Sequence, residues 1–335
     1  MDILITGGTG FIGSNVARRF AELGHNVSIL GLANNDWEAR RAKELEGLGV
    51  KVILGSVLDM PIIRSATKAQ TAVIHLAAAQ HESDVDDSYY RDINVGGTRN
   101  VLEASVEAGV RQFIHGSTIG VYGTAQKGAL AEDSPVKPEN IYGITKLEGE
   151  RVASEYRDRL SLTIVRISET YGPEDTRLLP MFRYVAKGWF PLIGAGSNKH
   201  QPIFVGDLID AFAALLSNDK VTGETIVLAG PAPVSTREMI DTVELVIGRH
   251  IHKIYVPMMP MNVMALALEK VMPPLHMKPP LTRRRLDFYR KNFWFDTSKS
   301  AALLGVAPAT SFAVGAQQTL QWYLANGLLV LQSVA

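Results

Sequence analysis

The 335-residue chain contains no cysteine, which excludes disulfide staples, thiolate metal sites and thiol nucleophiles together. It lacks an excess of either charge: 34 Lys+Arg balance 34 Asp+Glu, so no general field attracts nucleic acid or an anionic membrane. Apolar stretches such as residues 203–216 are interrupted by Asp207 and Asp210 and fall short of the roughly 20 residues that span a bilayer. No metal-ligand spacing is visible either. His250 and His252 could share a strand face but have no third ligand nearby, and His75 and His115 sit in apolar runs as core histidines. The opening Met1-Asp2-Ile3-Leu4-Ile5 has no basic stretch of the secretory kind, so a soluble, cytoplasmic protein is expected.

What is present is apolar residue, 46% of the chain, enough to fill a sizeable core. Short β-branched runs at residues 3–6, 27–30, 50–54, 72–76, 113–116 and 162–167 alternate with longer helical patterns. That rhythm indicates an α/β fold, a doubly wound parallel sheet with helices on both faces. After about Tyr171, Pro173, Pro180, Pro191, Pro202, Pro231 and Pro233 break the rhythm. Residues 1–170 are therefore expected to form one domain, with 203–230 returning to it as a strand, a helix and a short strand. Residues 171–202 and 231–330 are assigned to a smaller, mostly C-terminal lobe for substrate. Met258, Met259, Met261, Met264, Met272 and Met277 crowd that lobe; methionine fills irregular apolar gaps, so core packing is expected, or else an adaptable wall for substrate. Residues 328–331 read as a docking strand or a frayed end.

The first strand runs into Gly7-Gly8-Thr9-Gly10-Phe11-Ile12-Gly13 and then a helical stretch. Glycines at 7, 10 and 13 suit a tight turn, close approach of backbone to a pyrophosphate and close helix-on-strand packing, the signature of a Rossmann-type dinucleotide site. The helix N-terminus then faces the phosphates. The acid that usually closes the second strand and binds the ribose hydroxyls is replaced by Gly31, and no basic residue stands in its place, so NAD and NADP both remain open. Arg40 and Arg41 lie about ten residues further on and read as a solvated helix face rather than as a phosphate clamp.

Tyr142 and Lys146 are four residues apart in a helical stretch and so share a face, about 6 Å apart along the axis. Bringing a phenol from a pKa near 10 to about 7 takes roughly 4 kcal/mol, for which an ammonium and a nicotinamide cation are suitable sources. Gly116-Ser117-Thr118 follow a buried strand and place hydroxyls at its carboxyl end, where open α/β sheets bind ligands.

With these motifs go His75-Leu76-Ala77-Ala78, Asn94-Val95-Gly96-Gly97-Thr98, Val121-Tyr122-Gly123, Arg166 with Tyr171-Gly172-Pro173, Val205-Gly206-Asp207 and Asp296-Thr297-Ser298-Lys299. In this order, over nearly the whole chain, they resemble the extended short-chain dehydrogenases/reductases, a family of NAD-dependent sugar-nucleotide epimerases and dehydratases with 3β-hydroxysteroid dehydrogenase relatives. The resemblance implies hydride transfer at a secondary alcohol or ketone, with Tyr142 as acid/base, Lys146 on the nicotinamide ribose and Thr118 holding the substrate oxygen. Asn94 would fix the site's backbone. To the cofactor it assigns Gly7, Gly10, Phe11, Ile12, Gly13, Gly31, Ser56, Val57, Leu76, Ala77, Ala78, Tyr142, Lys146 and Ile167. It also implies a homodimer through the helices around residues 86–108 and Tyr142.

For the substrate, the resemblance points to Thr118, Glu169, His200, Arg284 and Asp287. Family dehydratases carry an Asp-Glu pair after the threonine, and here the pair is Ile119-Gly120, so 4,6-dehydration is not expected. Glu169 stands where many sugar-nucleotide enzymes have an asparagine on the diphosphate, and His200 where an arginine is expected. Arg284 and Asp287 keep the Arg-x-x-Asp spacing that grips a nucleotide. A nucleotide-sugar epimerase or ketoreductase is the first expectation. A 3β-hydroxysteroid-dehydrogenase-like enzyme on an apolar substrate is the second, and a non-catalytic dinucleotide sensor the third.

Overall fold

The computed structural model describes residues 1–80, 85–123, 128–272, 277 and 281–331, and of residues 284 and 285 the backbone only. The first half alternates β1 (Asp2–Thr6), α1 (Phe11–Glu22), β2 (Asn26–Gly31), α2 (Asp36–Gly47), β3 (Lys51–Leu54), α3 (Met60–Thr67) and β4 (Ala72–His75). Then come α4 (Asp87–Arg91), a π-helical turn over Asp92–Gly96, α5 (Gly97–Glu107), β5 (Gln112–Thr118), a 3₁₀ turn over Ile119–Tyr122, α6 (Ile141–Ser154) and β6 (Ser161–Ile167). Local chemistry sets several boundaries: Asn35 caps α2 by accepting from the Glu38 amide, Asp59 caps α3 through Ile62, and Asn140 caps α6 through Gly143.

The second half contains β7 (Thr170–Tyr171), α7 (Leu179–Ala186), β8 (Trp189–Ile193), β9 (Lys199–His200), β10 (Ile203–Phe204), α8 (Val205–Leu216), β11 (Thr225–Leu228), β12 (Val234–Ser235) and α9 (Thr236–Ile247). It ends with β13 (His252–Val256), α10 (Met258–Val271), α11 (Arg283–Arg290), α12 (Ser298–Leu304) and α13 (Phe312–Ala325). Seven strands form a parallel sheet in the order β11-β6-β5-β4-β1-β2-β3. The order reverses between β1 and β4, so the crevice for a ligand opens at the carboxyl ends of those two strands. This is the doubly wound Rossmann architecture that the sequence rhythm indicates.

One core packs α1 and α8 on one face of the sheet around Ile5, Phe20, Ile74 and Phe212, and another packs α5 and α6 on the other face around Leu4, Val101, Phe113 and Leu162. A third is built from α7, α9 and α13 around Phe182, Ile240 and Tyr323.

Three sequence expectations are corrected. The run at 203 does not join the sheet: β10 is two residues long and pairs with β7, because α8 begins at Val205. The methionine cluster is not a core. Met258 and Met261 pack near Ala265 and Leu286, while Met259 is 74% exposed and Met264 and Met277 are exposed, since α10 buries only Ala265. Arg41 is not solvated: it is buried at the cavity described next, whereas Arg40 faces water and pairs with Glu44. At the tail, Leu329 is buried in the third core without forming a strand. Among the described residues no helix is long and apolar enough to cross a membrane, and no three His, Asp or Glu side chains could hold a metal ion.

Candidate active site

A cavity of about 710 Å³ opens at the strand ends around the switch point, a size suited to a cofactor with a small substrate. Its floor is the turn from β1 into α1. Gly13 packs so closely on that turn that a Cβ there would lie 2.2 Å from the Gly7 carbonyl oxygen, and a Cβ at Gly7 would lie 2.7 Å from the Ala77 nitrogen. No side chain fits between these backbones, so the N-terminus of α1 is left open to a phosphate. Gly7, Gly10, Phe11, Ile12, Gly13, Gly31, Ser56, Val57, Leu76, Ala77, Ala78 and Ile167 all line the cavity, as the sequence expects of cofactor residues.

Thr118, Tyr142 and Lys146 line the same cavity. Thr118 ends β5, and its Oγ1 accepts from the Gly120 amide at 3.1 Å, which starts the 3₁₀ turn. The first turn of α6 lies directly on that turn: a Cβ at Gly143 would meet the Gly120 carbonyl oxygen at 2.7 Å. This contact brings the element carrying Tyr142 against the element carrying Thr118. Lys146, one helical turn on, is 2% exposed and donates from Nζ to the Gly116 carbonyl oxygen at 2.6 Å. Burial pulls its ammonium down to about 8, against the raising effect of Glu150. Asn94, in the π-helical turn, donates to the Ala79 carbonyl and to Thr145 Oγ1 and accepts the Ala79 amide, tying the strand end after β4 to α6.

Beneath these residues lies a buried network that sequence reasoning missed. Glu150 accepts from Ser117 Oγ at 2.5 Å and takes a two-pronged contact from Arg166, Nε at 3.0 Å and Nη2 at 2.9 Å. Arg166 Nη1 in turn donates to Tyr122 and to the Glu132 carbonyl, and the guanidinium lies over the Tyr122 ring. The signal was the spacing, since Glu150 follows Lys146 by four residues on the same helix.

Of the residues expected at the substrate, Glu169 lines the cavity, but His200 is not in its wall. His200 is 1% exposed and sits behind Glu169, with Nδ1 2.9 Å from Glu169 Oε2 and Nε2 3.0 Å from Thr236 Oγ1, stacked on Phe288. Burial works against its charge, yet Glu169 raises its pKa above 6.5, and His200 in return lowers that of Glu169. Asp287 is outside the wall too, paired with Arg290 at 2.6 Å and Lys291 at 3.2 Å. The Arg284 side chain lies outside the described residues. Arg177 was not foreseen: it lines the cavity, donates to Asp175 and to the Thr170 carbonyl, and lies over the Phe11 ring.

The family model for the NAD dependent epimerase/dehydratase family matches residues 3–229, which contain the glycine loop, Thr118, Tyr142 and Lys146. The chain belongs to the NAD-dependent epimerase/dehydratase family. Such an epimerase/dehydratase enzyme takes a cofactor of the NAD type, and the open glycine cradle described above fits one. The chain is 26% identical over 342 residues to a dTDP-glucose 4,6-dehydratase of Streptomyces niveus, covering 97% of this chain and 94% of that one. It is 29% identical over 280 residues to a UDP-glucose 4-epimerase of Streptomyces lividans, covering 76% and 83%. In fold it is similar to a UDP-glucuronic acid 4-epimerase from Bacillus cereus in complex with NAD, with a TM-score of 0.78 at 24% identity, covering 97% and 99%. Family members with epimerase and with dehydratase names thus both resemble it.

Proposed function

We propose that this family member is an epimerase or ketoreductase of nucleotide sugars, acting at a secondary alcohol or ketone, and not a 4,6-dehydratase. One observation carries the choice: the cavity gathers Thr118, Tyr142 and Lys146, while the residues after Thr118 are a buried Ile119 and Gly120. Loss of water needs an acid to protonate the departing hydroxyl, and these two positions supply none. Tyr142 exchanges a proton with the substrate oxygen, and Thr118 Oγ1 holds that oxygen in place. Lys146, anchored to the Gly116 carbonyl oxygen, places a buried cation beside the phenol. NAD, when bound, supplies the hydride-accepting nicotinamide ring.

The test is incubation of the purified chain with UDP-glucose, UDP-glucuronic acid and dTDP-glucose, followed by proton NMR. Appearance of the C4 epimer, or reduction of an added keto sugar when NADH or NADPH is supplied, is the expected result. A 4-keto-6-deoxy product would overturn the reading. Mass spectrometry of small molecules released on denaturation separates the two expected outcomes, since an epimerase that returns the hydride to its own substrate retains NAD and a reductase exchanges it.

A second reading, an alcohol dehydrogenase or ketone reductase on an apolar substrate, is favoured by Glu169. Its side chain is 40% exposed toward the cavity and kept ionised by His200, which repels a diphosphate at that point. Saturable binding of a UDP- or dTDP-sugar excludes this second reading, and absence of such binding selects it.

A further inference from the structure

Gly31 closes β2 where a carboxylate would otherwise stand, and Thr9 fills the space beside it: a Cβ there would lie 2.4 Å from Thr9 Oγ1 and 3.0 Å from Thr9 Cγ2. In a crevice of this topology that strand end is where NAD and NADP are told apart, by a carboxylate on the ribose hydroxyls or by a nearby arginine on the 2′-phosphate. This chain has no carboxylate there, and it has the arginine. Arg41 lines the cavity beside Asn34 and Asn35, with its side chain 10% exposed. Left alone, such a site would favour the phosphate.

Arg41 is not left alone. Its Nε donates to Glu174 Oε2 at 3.0 Å and its Nη2 to the Glu174 carbonyl oxygen at 3.0 Å. The other carboxylate oxygen of Glu174 pairs with Arg18 Nη2, from α1, also at 3.0 Å. Glu174 comes from the loop after β7, 133 residues from Arg41, and both line the same cavity, so the bridge joins two of its walls. The backbone at Glu174 has φ +72°, a left-handed conformation that glycine adopts freely and an L side chain only against steric resistance. A glutamate kept in that conformation points to work for its side chain. Other charges around the wall are paired among themselves: Glu44 with Arg18 at 3.6 Å and Arg40 at 2.8 Å, and Arg177 with Asp175 at 2.8 Å, while Glu38 accepts the Asn34 amide at 2.8 Å.

We propose that Glu174 is the residue by which this chain rejects a 2′-phosphorylated dinucleotide, by holding Arg41 and Arg18 in an ion-paired bridge across the adenosine end of the cavity. A phosphate carrying close to two negative charges at neutral pH must compete with a carboxylate that already occupies both guanidinium groups, and it meets Glu38 as well. The inference rests on the cofactor half of the proposed function and not on the sugar. Loss of the sugar reading would leave the binding ratios below unchanged.

The experiment is titration of the full chain with NADH and with NADPH, read by nicotinamide fluorescence at fixed ionic strength. The unsubstituted chain is expected to bind NADH at least about tenfold more tightly than NADPH. Glu174→Gln keeps the shape and removes the charge; it should improve NADPH binding by about tenfold while NADH binding moves less than about threefold. Adding Arg41→Gln to that variant should abolish the gain. Arg41→Gln alone, which does not depend on the folding of the Glu174 variant, should leave the weak NADPH binding within about threefold. The proposal is overturned by equal affinity of the unsubstituted chain for both dinucleotides, by an unchanged ratio in Glu174→Gln, by a gain that survives loss of Arg41, or by a tenfold loss of NADPH binding in Arg41→Gln alone.

Discussion

Two sites behind the cavity wall bury the same residue type with opposite pKa shifts. His75 and His115, both 0% exposed, stack in the middle of the sheet with ring centroids 5.6 Å apart. Burial and the Lys146 ammonium push both down, His75 to about 3 and His115 well below its ordinary value, so both are neutral. His75 is held by hydroxyls, 2.7 Å from Thr6 Oγ1 and 3.0 Å from Thr98 Oγ1. His200, equally buried, is pushed up instead, because the Glu169 carboxylate lies beside it. Burial by itself does not decide the charge of an ionisable group; the partner buried beside it does. The sheet site is therefore neutral beside one cation, and the Glu169 site keeps its charges in pairs that a ligand must displace or accommodate.

The largest effect expected from breaking this arrangement is at Tyr142. Tyr142→Phe removes the proton-transferring hydroxyl and should lower turnover about 10²- to 10⁴-fold, while NADH affinity measured by fluorescence stays within about threefold, because the cradle is made by backbone. Turnover close to that of the unsubstituted chain would remove Tyr142 from the reaction. Next in size is Glu150→Gln, which leaves the 8%-exposed Arg166 side chain without its counter-ion. Breaking a buried pair from one side costs about 3 to 5 kcal/mol, visible as a lowered midpoint in urea. The same variant removes the carboxylate that raises the Lys146 pKa, so the pH dependence of turnover should shift to lower pH. A merely structural role for Glu150 would lower stability and leave that profile in place.

The contrast between the two sites also explains what the sequence made legible. The parallel sheet with helices on both faces follows from alternation, and the glycine loop and the Tyr142 and Lys146 pair are local patterns within one turn or one helix. The pairs that give the rest of the cavity its charge join distant segments: Arg41 with Glu174, Glu169 with His200, Glu150 with Arg166. Read alone, Arg41 was a solvated charge and His200 a substrate contact. Each reading failed for the same physical reason, that the counter-ion closing over the side chain comes from a segment whose position the fold decides. The exposed methionines of α10 failed differently, since composition gives apolarity but not which face a neighbour covers.

The smallest effects sharpen the histidine contrast itself, through stability measured against pH. A histidine whose folded pKa lies below its ordinary 6.5 binds fewer protons folded than unfolded over that interval, so stability falls with pH by about 1.4 kcal/mol per unit for each such group. His115 is of this kind, and its ring nitrogens have no hydrogen-bond partner, so replacing it deserts none. His115→Phe should therefore gain on the unsubstituted chain as pH falls below 6.5, in urea unfolding series. His200 and Glu169 act with the opposite sign. The raised histidine contributes fully below 6.5 and loses its contribution as pH rises through the folded value, and the depressed carboxylate contributes fully above 4.5 and loses its own as pH falls through its folded value. Glu169→Gln should cost most between those two limits, with the cost shrinking as pH rises through the folded value of His200 and the ring gives up its proton. A cost that stays constant as pH rises above 6.5 would mean that His200 is neutral like the sheet pair, and the two sites would then differ only in shape.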